Sequence, residues 1–245
     1  MDKIIKICLG LFTIILVAFA GALTYTAYSE TMYTDTLEGT YSYTCTITTD
    51  ASLYNVTLFI PVPVDPVGNS PMVSLFSNRM MQGVPANWET TLFDTGKSTL
   101  LKVTTPVITV PEGTTASHPY KITLSSGTPS RTPIDTRDPA AKSVMFRPVQ
   151  ALTASECPGE ISAGAGAQCA SYTTSLYADY TTSPETITTI QSSVTGRNTW
   201  TIFEPRSNEY RADVITVMKG SHKGWTLMDG LLSSGIGTYD IPAGT

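Results

Sequence analysis

The sequence predicts an all-β protein: an antiparallel β-sandwich ectodomain, one large or two small β units, preceded by a single N-terminal transmembrane or signal helix. Three observations carry this. Beyond residue 39, apolar and polar residues alternate with period two in short stretches interrupted by Gly, Pro, Asn and Asp, the mark of antiparallel strands. Charged residues are only 14 % of the chain, and threonine, β-branched and suited to a pleated surface, is conspicuously frequent. The first 28 residues instead hold one unbroken apolar run.

That run extends from Ile7 to about Tyr28, behind Lys3 and Lys6 and ahead of Glu30, Asp35 and Glu38. A helix rising 1.5 Å per residue crosses a hydrocarbon core of roughly 30 Å in about 20 residues, so the run is long enough to span. Lysines before it and acids after it place the N-terminus in the cytoplasm and the remainder outside. A competing reading makes Ile7–Val17 the apolar region of a secretory signal, cleaved after Ala18-Phe19-Ala20 to release a secreted protein beginning at Gly21. The anchor is preferred because apolarity continues through Ala22, Leu23 and Ala27. A pilin-like filament subunit is less favoured, since no basic-Gly junction precedes Ile7. Cys8 lies inside the run, an apolar-phase thiol or an acylation site.

A short stalk is expected over 29–39, followed by a first β-sandwich unit over 40–126. Its strands fall near 40–49, 53–62, 72–77, 88–94, 98–104 and 119–125, with turns at Thr49-Asp50, Pro63 to Pro71, Asp94 to Lys97 and Pro111 to Gly113. Residues 127–169 form a Pro-rich crossover and a Cys loop. Pro129, Pro133, Pro139 and Pro148 exclude a regular helix or central strand there, and the interspersed charges favour an ordered, salt-bridged crossover over a structureless one. A second β unit, 170–245, has strands near 170–181, 186–195, 198–204, 209–219 and 223–229. Glycines flank an expected turn at Gly220–Gly224, Val194-Thr-Gly-Arg-Asn198 reads as another, and Leu231–Ile241 as an irregular edge.

Three cysteines lie beyond the apolar run. Cys157 and Cys169 bracket a Gly/Ala-rich loop too poor in side chains to fold alone and are expected to form a disulfide. Cys45 shares a strand face with Tyr41, Tyr43 and Ile47, as a free core thiol. Zinc is disfavoured: Cys157 and Cys169 are too far apart for a knuckle, and only His118 and His222 remain to complete a site. No metal or cofactor is expected.

Nine of the fifteen Lys and Arg lie between Arg131 and Lys223. On strand geometry Glu209, Arg211 and Asp213 share a face; as ligand residues, Arg206 and Arg211 would offer bidentate donors to a carboxylate or hydroxyl, but ordinary surface ion pairs are the preferred reading. Trp88, Trp200 and Trp225 are candidate sugar-stacking platforms. Trp200 alternates with Ile202 and Trp225 with Leu227, so both are expected in the core.

Catalytic templates fail. There is no G-x-S-x-G elbow, Ser221 and His222 are adjacent, Gly164-Ala-Gly166 lacks the third glycine of a dinucleotide loop, and H-E-x-x-H is missing. A carboxylate pair such as Asp135 with Glu204 leaves no local spacing to detect. Asn55-Val-Thr57 is a glycosylation sequon that needs Asn55 to face outward.

The expectation is a membrane-anchored, extracytoplasmic β-sandwich protein, structural or adhesive at the cell envelope and non-catalytic. Its partners would be membrane lipid, itself or other envelope components. With a net charge of −5 and no basic cluster, nucleic acid is not among them. The alternative is a surface module for glycan or a small ligand; an exported hydrolase is less favoured.

Overall fold

The computed structural model describes residues 2–77, 80–94, 98–159 and 166–239. It opens with helix α1, Asp2–Thr36, which holds a stretch apolar and long enough to cross a membrane, left unburied by the rest of the chain. Hydroxyls along it bond back to carbonyls one turn earlier, Thr13 to Leu9, Thr24 to Ala20, Thr26 to Ala22 and Ser29 to Tyr25. In an apolar phase this satisfies donors that have no water to turn to.

The stretch 29–39, expected as a stalk, is helical to Thr36. It is a docking segment: Ser29 is buried, the Tyr33 ring meets Trp200 edge-on at 5.6 Å, and the Thr36 hydroxyl accepts the Thr201 amide at 2.9 Å.

The rest is a single curled antiparallel sheet, so the protein is all-β behind one N-terminal helix. Its strands are β1 (Glu38–Thr49), β2 (Leu53–Pro61), β4 (Glu89–Asp94), β5 (Thr99–Ile108), β6 (Tyr120–Ser130), β8 (Gln150–Ser155), β9 (Gln168–Thr181), β10 (Ile187–Ile202), β11 (Glu204–Lys219) and β12 (His222–Gly237). They run in the order β4-β5-β2-β9-β12-β11-β10-β1-β6, with β8 also pairing β9. A two-stranded ribbon joins β3 (Pro63–Val64) to β7 (Met145–Phe146).

This order interleaves the two predicted groups. The later strands, β9 to β12, form the centre, and the earlier ones are split into two wings, β4-β5-β2 and β1-β6. β1 and β2, separated by three residues in sequence, therefore do not pair. Their connection instead meets the β9–β10 connection: Asp50 Oδ1 accepts the Ile187 amide at 3.0 Å and the Thr182 hydroxyl donates to the Ser52 carbonyl at 2.9 Å. At that end the ladder between β11 and β12 stops at Ile215 with Asp229, β11 continuing along β10 and β12 along β9. The curl encloses one apolar core that draws Tyr43, Ile47, Leu58, Ile60 and Leu124 from the wings and Leu176, Ile190, Val194, Tyr210 and Val214 from the centre. Each fully buried aliphatic side chain contributes about 1.5–3 kcal/mol.

Local corrections have local causes. The strand expected at 72–77 is a short helix, α2 (Val73–Ser77), entered through a turn in which the Ser70 hydroxyl accepts the Met72 amide at 3.2 Å. The turn expected at Val194–Asn198 does not exist, since β10 runs straight through Gly196, and the chain reverses at Phe203 instead. The edge expected from Leu231 is strand as far as Gly237. Expectations for Thr95, Gly96 and Lys97, for 160–165 with Gly164, and for Ile241 lie outside the described residues.

The crossover is ordered. Pro129 lies within β6, one residue before its end, where an edge strand tolerates proline. Helix α3, Pro139–Lys142, follows a turn in which Asp135 accepts the Asp138 amide at 2.8 Å and pairs with Lys142 at 3.1 Å. Two buried asparagines facing each other across β10 and β11 fasten it to the sheet. The Asn198 side chain accepts the Ile134 amide at 2.9 Å and donates to the Ile134 carbonyl at 2.8 Å and to Asn208 Oδ1 at 2.9 Å, which also accepts the Thr136 hydroxyl.

Candidate functional site

The outward face of one wing and the adjoining central strands carries a ladder of four aromatic rings from four strands. Phe93 on β4 meets Phe59 on β2 at 5.5 Å, Phe59 meets Tyr177 on β9 at 5.5 Å, and Tyr177 meets Trp225 on β12 at 5.6 Å, all edge to face. Register produces the last two contacts, because Phe59 stands opposite Tyr177 and Tyr177 opposite Trp225, and strand spacing sets the ring spacing, whereas Phe93 reaches Phe59 across the intervening strand β5. The Lys102 ammonium, opposite Phe59 on β5, lies 5.9 Å from its ring centre.

The end rings face solvent, Trp225 60 % and Phe93 50 % exposed. Leu227, Ile215 and Val217 extend the apolar face on β12 and β11. One ion pair borders it: Lys223 and Asp179, neighbours of Trp225 and Tyr177 on the same strand faces, approach to 3.9 Å.

Trp225 corrects the expectation of a core position. The alternation was real but its phase was reversed. The inward positions of β12 are Gly224, Thr226, Met228 and Gly230, and at the last of these the ring of Tyr172 fills the interior, since a Cβ on Gly230 would lie 2.7 Å from that ring. Trp200 and Trp88 are buried, 2 % and 8 % exposed.

Arg206, Arg211 and Trp225 are not brought together. Arg206 and Arg211 lie five residues apart on β11 and so point to opposite faces. Arg211 pairs with Asp213 at 2.8 Å, and Arg206, opposite Trp200, pairs with Glu204 at 3.5 Å. Glu209 is met by Arg197 at 3.6 Å. Asp135 and Glu204 each belong to a separate ion pair.

Cys157 and Cys169 are disulfide-bonded, with Cα atoms 5.2 Å apart. Cys45 is free and buried, and burial pushes its thiol up to about 11. The Asp135 carboxyl, despite burial acting to raise it, is held below its ordinary value by the Asp138 amide, Lys142 and the Arg137 amide. His118 is exposed and contacts the Ser117 hydroxyl, and His222 lies beside Tyr180. Among the described residues no three His, Cys, Asp or Glu side chains gather as a metal site. A hollow of about 630 Å³ beside Trp88 has Glu89 as its one ionisable residue among those described, and a smaller one, about 310 Å³, lies where Arg137 sits 4.3 Å over the Tyr239 ring.

The fold and its surface define an all-β protein carried on an apolar N-terminal helix, with an exposed aromatic ladder as its most distinctive face. No protein-family model matches the chain, and neither the curated proteins nor the solved structures contain a significant match.

Proposed function

We propose that this is a single-pass membrane-anchored protein of the cell envelope, N-terminus in the cytoplasm and sheet domain outside, whose role is structural or adhesive rather than catalytic. The apolar helix and the disulfide support the location. The observation that carries the adhesive role is the ladder Phe93–Phe59–Tyr177–Trp225, a preformed aromatic surface facing solvent with no covering element of this chain among the described residues. A second copy of the chain is its partner in this reading, sheet face against sheet face, with Lys223 and Asp179 supplying opposite charges at its border.

The test is clustering of vesicles carrying the full chain. Wild-type protein brings vesicles together, and Tyr177→Ser with Trp225→Ser abolishes clustering while the circular dichroism stays that of a folded sheet. Wild-type vesicles that remain dispersed would end the adhesive reading.

Glycan binding is the second reading, favoured by the exposure of Trp225 beside Asp179 and Lys223, since an aromatic face complements the C–H face of a sugar. Under this reading soluble envelope polysaccharide shifts the tryptophan emission of wild type and not of Trp225→Phe.

Asn55 belongs to this proposal as a glycosylation site. It is exposed, with φ +54°, at a register shift of β2 between Tyr54 and Thr57, so its amide stands clear of the ladder. The intact mass of membrane-fraction protein reads glycan on Asn55 and retention of residues 1–20 together.

A further inference from the structure

We propose that the β10–β11 hairpin tip is a second membrane contact, with Phe203 seated among Tyr25 and Tyr28 in the polar–apolar boundary of the bilayer that α1 spans; this rests on the anchor reading above.

Phe203 is the turn residue between Ile202 and Glu204. Its φ is +67°, a region that glycine or asparagine enters readily and a bulky side chain does not. It is also 69 % exposed. An aromatic residue thus occupies a strained, water-facing position where a polar turn residue would be easier to hold, and burial in the core gives nothing back. Its ring contacts belong to the helix. Tyr25 stacks on it at 6.0 Å with planes 14° apart, and Tyr28 lies at 5.6 Å.

The depth of that contact follows from the helix. About 20 helical residues cross the hydrocarbon core. Counted from Ile4 or from Ile7, beside the cytoplasmic lysines, the far boundary falls between Leu23 and Thr26, the level of Tyr25. The hairpin descends toward it: Thr201 meets Thr36, Trp200 meets Tyr33, and Phe203 meets Tyr28 and Tyr25. Tyr33 to Tyr25 is about 12 Å along the axis, so the domain body stands off the surface and only its tip reaches down. Glu204, exposed and paired with Arg206, follows directly and limits entry to the depth of one ring. Three aromatic rings at one level form the kind of belt that favours the headgroup boundary.

The test uses the full chain in vesicles, with Cys8→Ser removing the exposed thiol, Cys45 being buried and Cys157 and Cys169 bonded. A spin label is placed in separate proteins at Glu204→Cys, which keeps Phe203, at Ile15→Cys in mid-span, and at Glu185→Cys, an exposed site in the β9–β10 connection. Collisions with oxygen and with a water-soluble nickel chelate report depth. The expected result is an Ile15 label in the hydrocarbon, a Glu185 label in water, and a Glu204 label several-fold less accessible to nickel than the Glu185 label, with Phe203→Asn removing that protection. A Glu204 label as accessible as the Glu185 label, while Ile15 is lipid-buried, overturns the inference and leaves the anchor standing. An Ile15 label in water overturns both.

Discussion

The ring of Tyr210 covers Gly196 directly across the β10–β11 ladder, and a Cβ on Gly196 would overlap ring atom Cε1. Tyr172 covers Gly230 in the same way between β9 and β12. In both pairs the glycine gives up a side chain so that a large ring can lie over the backbone, and the Tyr210 hydroxyl reaches past it to donate to the Val144 carbonyl of the crossover. The two glycines are packing positions in strand interiors, where glycine is otherwise a cost.

Gly196→Ala and Gly230→Ala are therefore expected to destabilise the sheet domain by about 1–3 kcal/mol each, the usual cost of overpacking. Thermal unfolding of the full chain in detergent measures this. Unchanged melting of both variants would show that the rings move aside freely.

Asn198→Ala leaves the buried Ile134 amide and carbonyl without their partner and is expected to cost about 1–3 kcal/mol. Arg211→Ala removes an exposed ion pair with Asp213 and is expected to cost no more than about 1 kcal/mol. Urea titrations of the two variants should rank them in that order, and the reverse ranking would mean the crossover is not held by the asparagine pair.

Cleaving the Cys157–Cys169 bond, which closes a loop of sequence separation 12, is expected to lower stability by about 3 kcal/mol through the added freedom of the unfolded chain. Comparison of oxidised protein with Cys157→Ser by calorimetry reads the difference. An equal melting temperature would place the loop outside the cooperative unit.

Stability should also fall in alkali. Burial raises the Cys45 thiol from 9.0 to about 11, so between those values the unfolded chain has lost a proton that the folded chain keeps. The contribution is flat below pH 9, declines by about 2–3 kcal/mol as pH rises to 11, and is flat above. Cys45→Ala is expected to make that decline shallower, the part that remains above pH 10 coming from buried tyrosines such as Tyr43 and Tyr210, whose hydroxyls burial also raises, and the folded protein to resist thiol alkylation at this residue. Prompt labelling of Cys45 in native protein would contradict its burial.

The legible features are those with a local cause. The apolar run behind two lysines reads as a membrane-length helix, period-two alternation reads as strand, and the spacing of Cys157 and Cys169 around a side-chain-poor loop reads as a disulfide. Where one residue type serves two purposes, local reading fails. Gly196 resembles a turn because glycine permits one, yet its lack of a side chain is used by Tyr210. Trp225 alternates as a core residue would, but alternation does not tell inside from outside when the inward positions carry weak apolar signals, such as Gly224, Thr226 and the Gly230 that lies under Tyr172. Phe203 carries no turn signal at all, and the ladder, whose members Phe59, Phe93 and Tyr177 carry no binding-site signal in the sequence, exists only once β4, β5, β2, β9 and β12 stand in register.

By itself the sequence determined most of the extended stretches and where the apolar helix lies, because periodicity and composition act over a few residues. Only the tertiary structure decided that β9 to β12 separate β1 from β2, which face of β12 meets water, and which aromatic rings share a surface. Those outcomes depend on pairings between residues more than a hundred positions apart, such as Phe59 with Tyr177, and a shift of one residue in such a pairing exchanges the two faces of a strand.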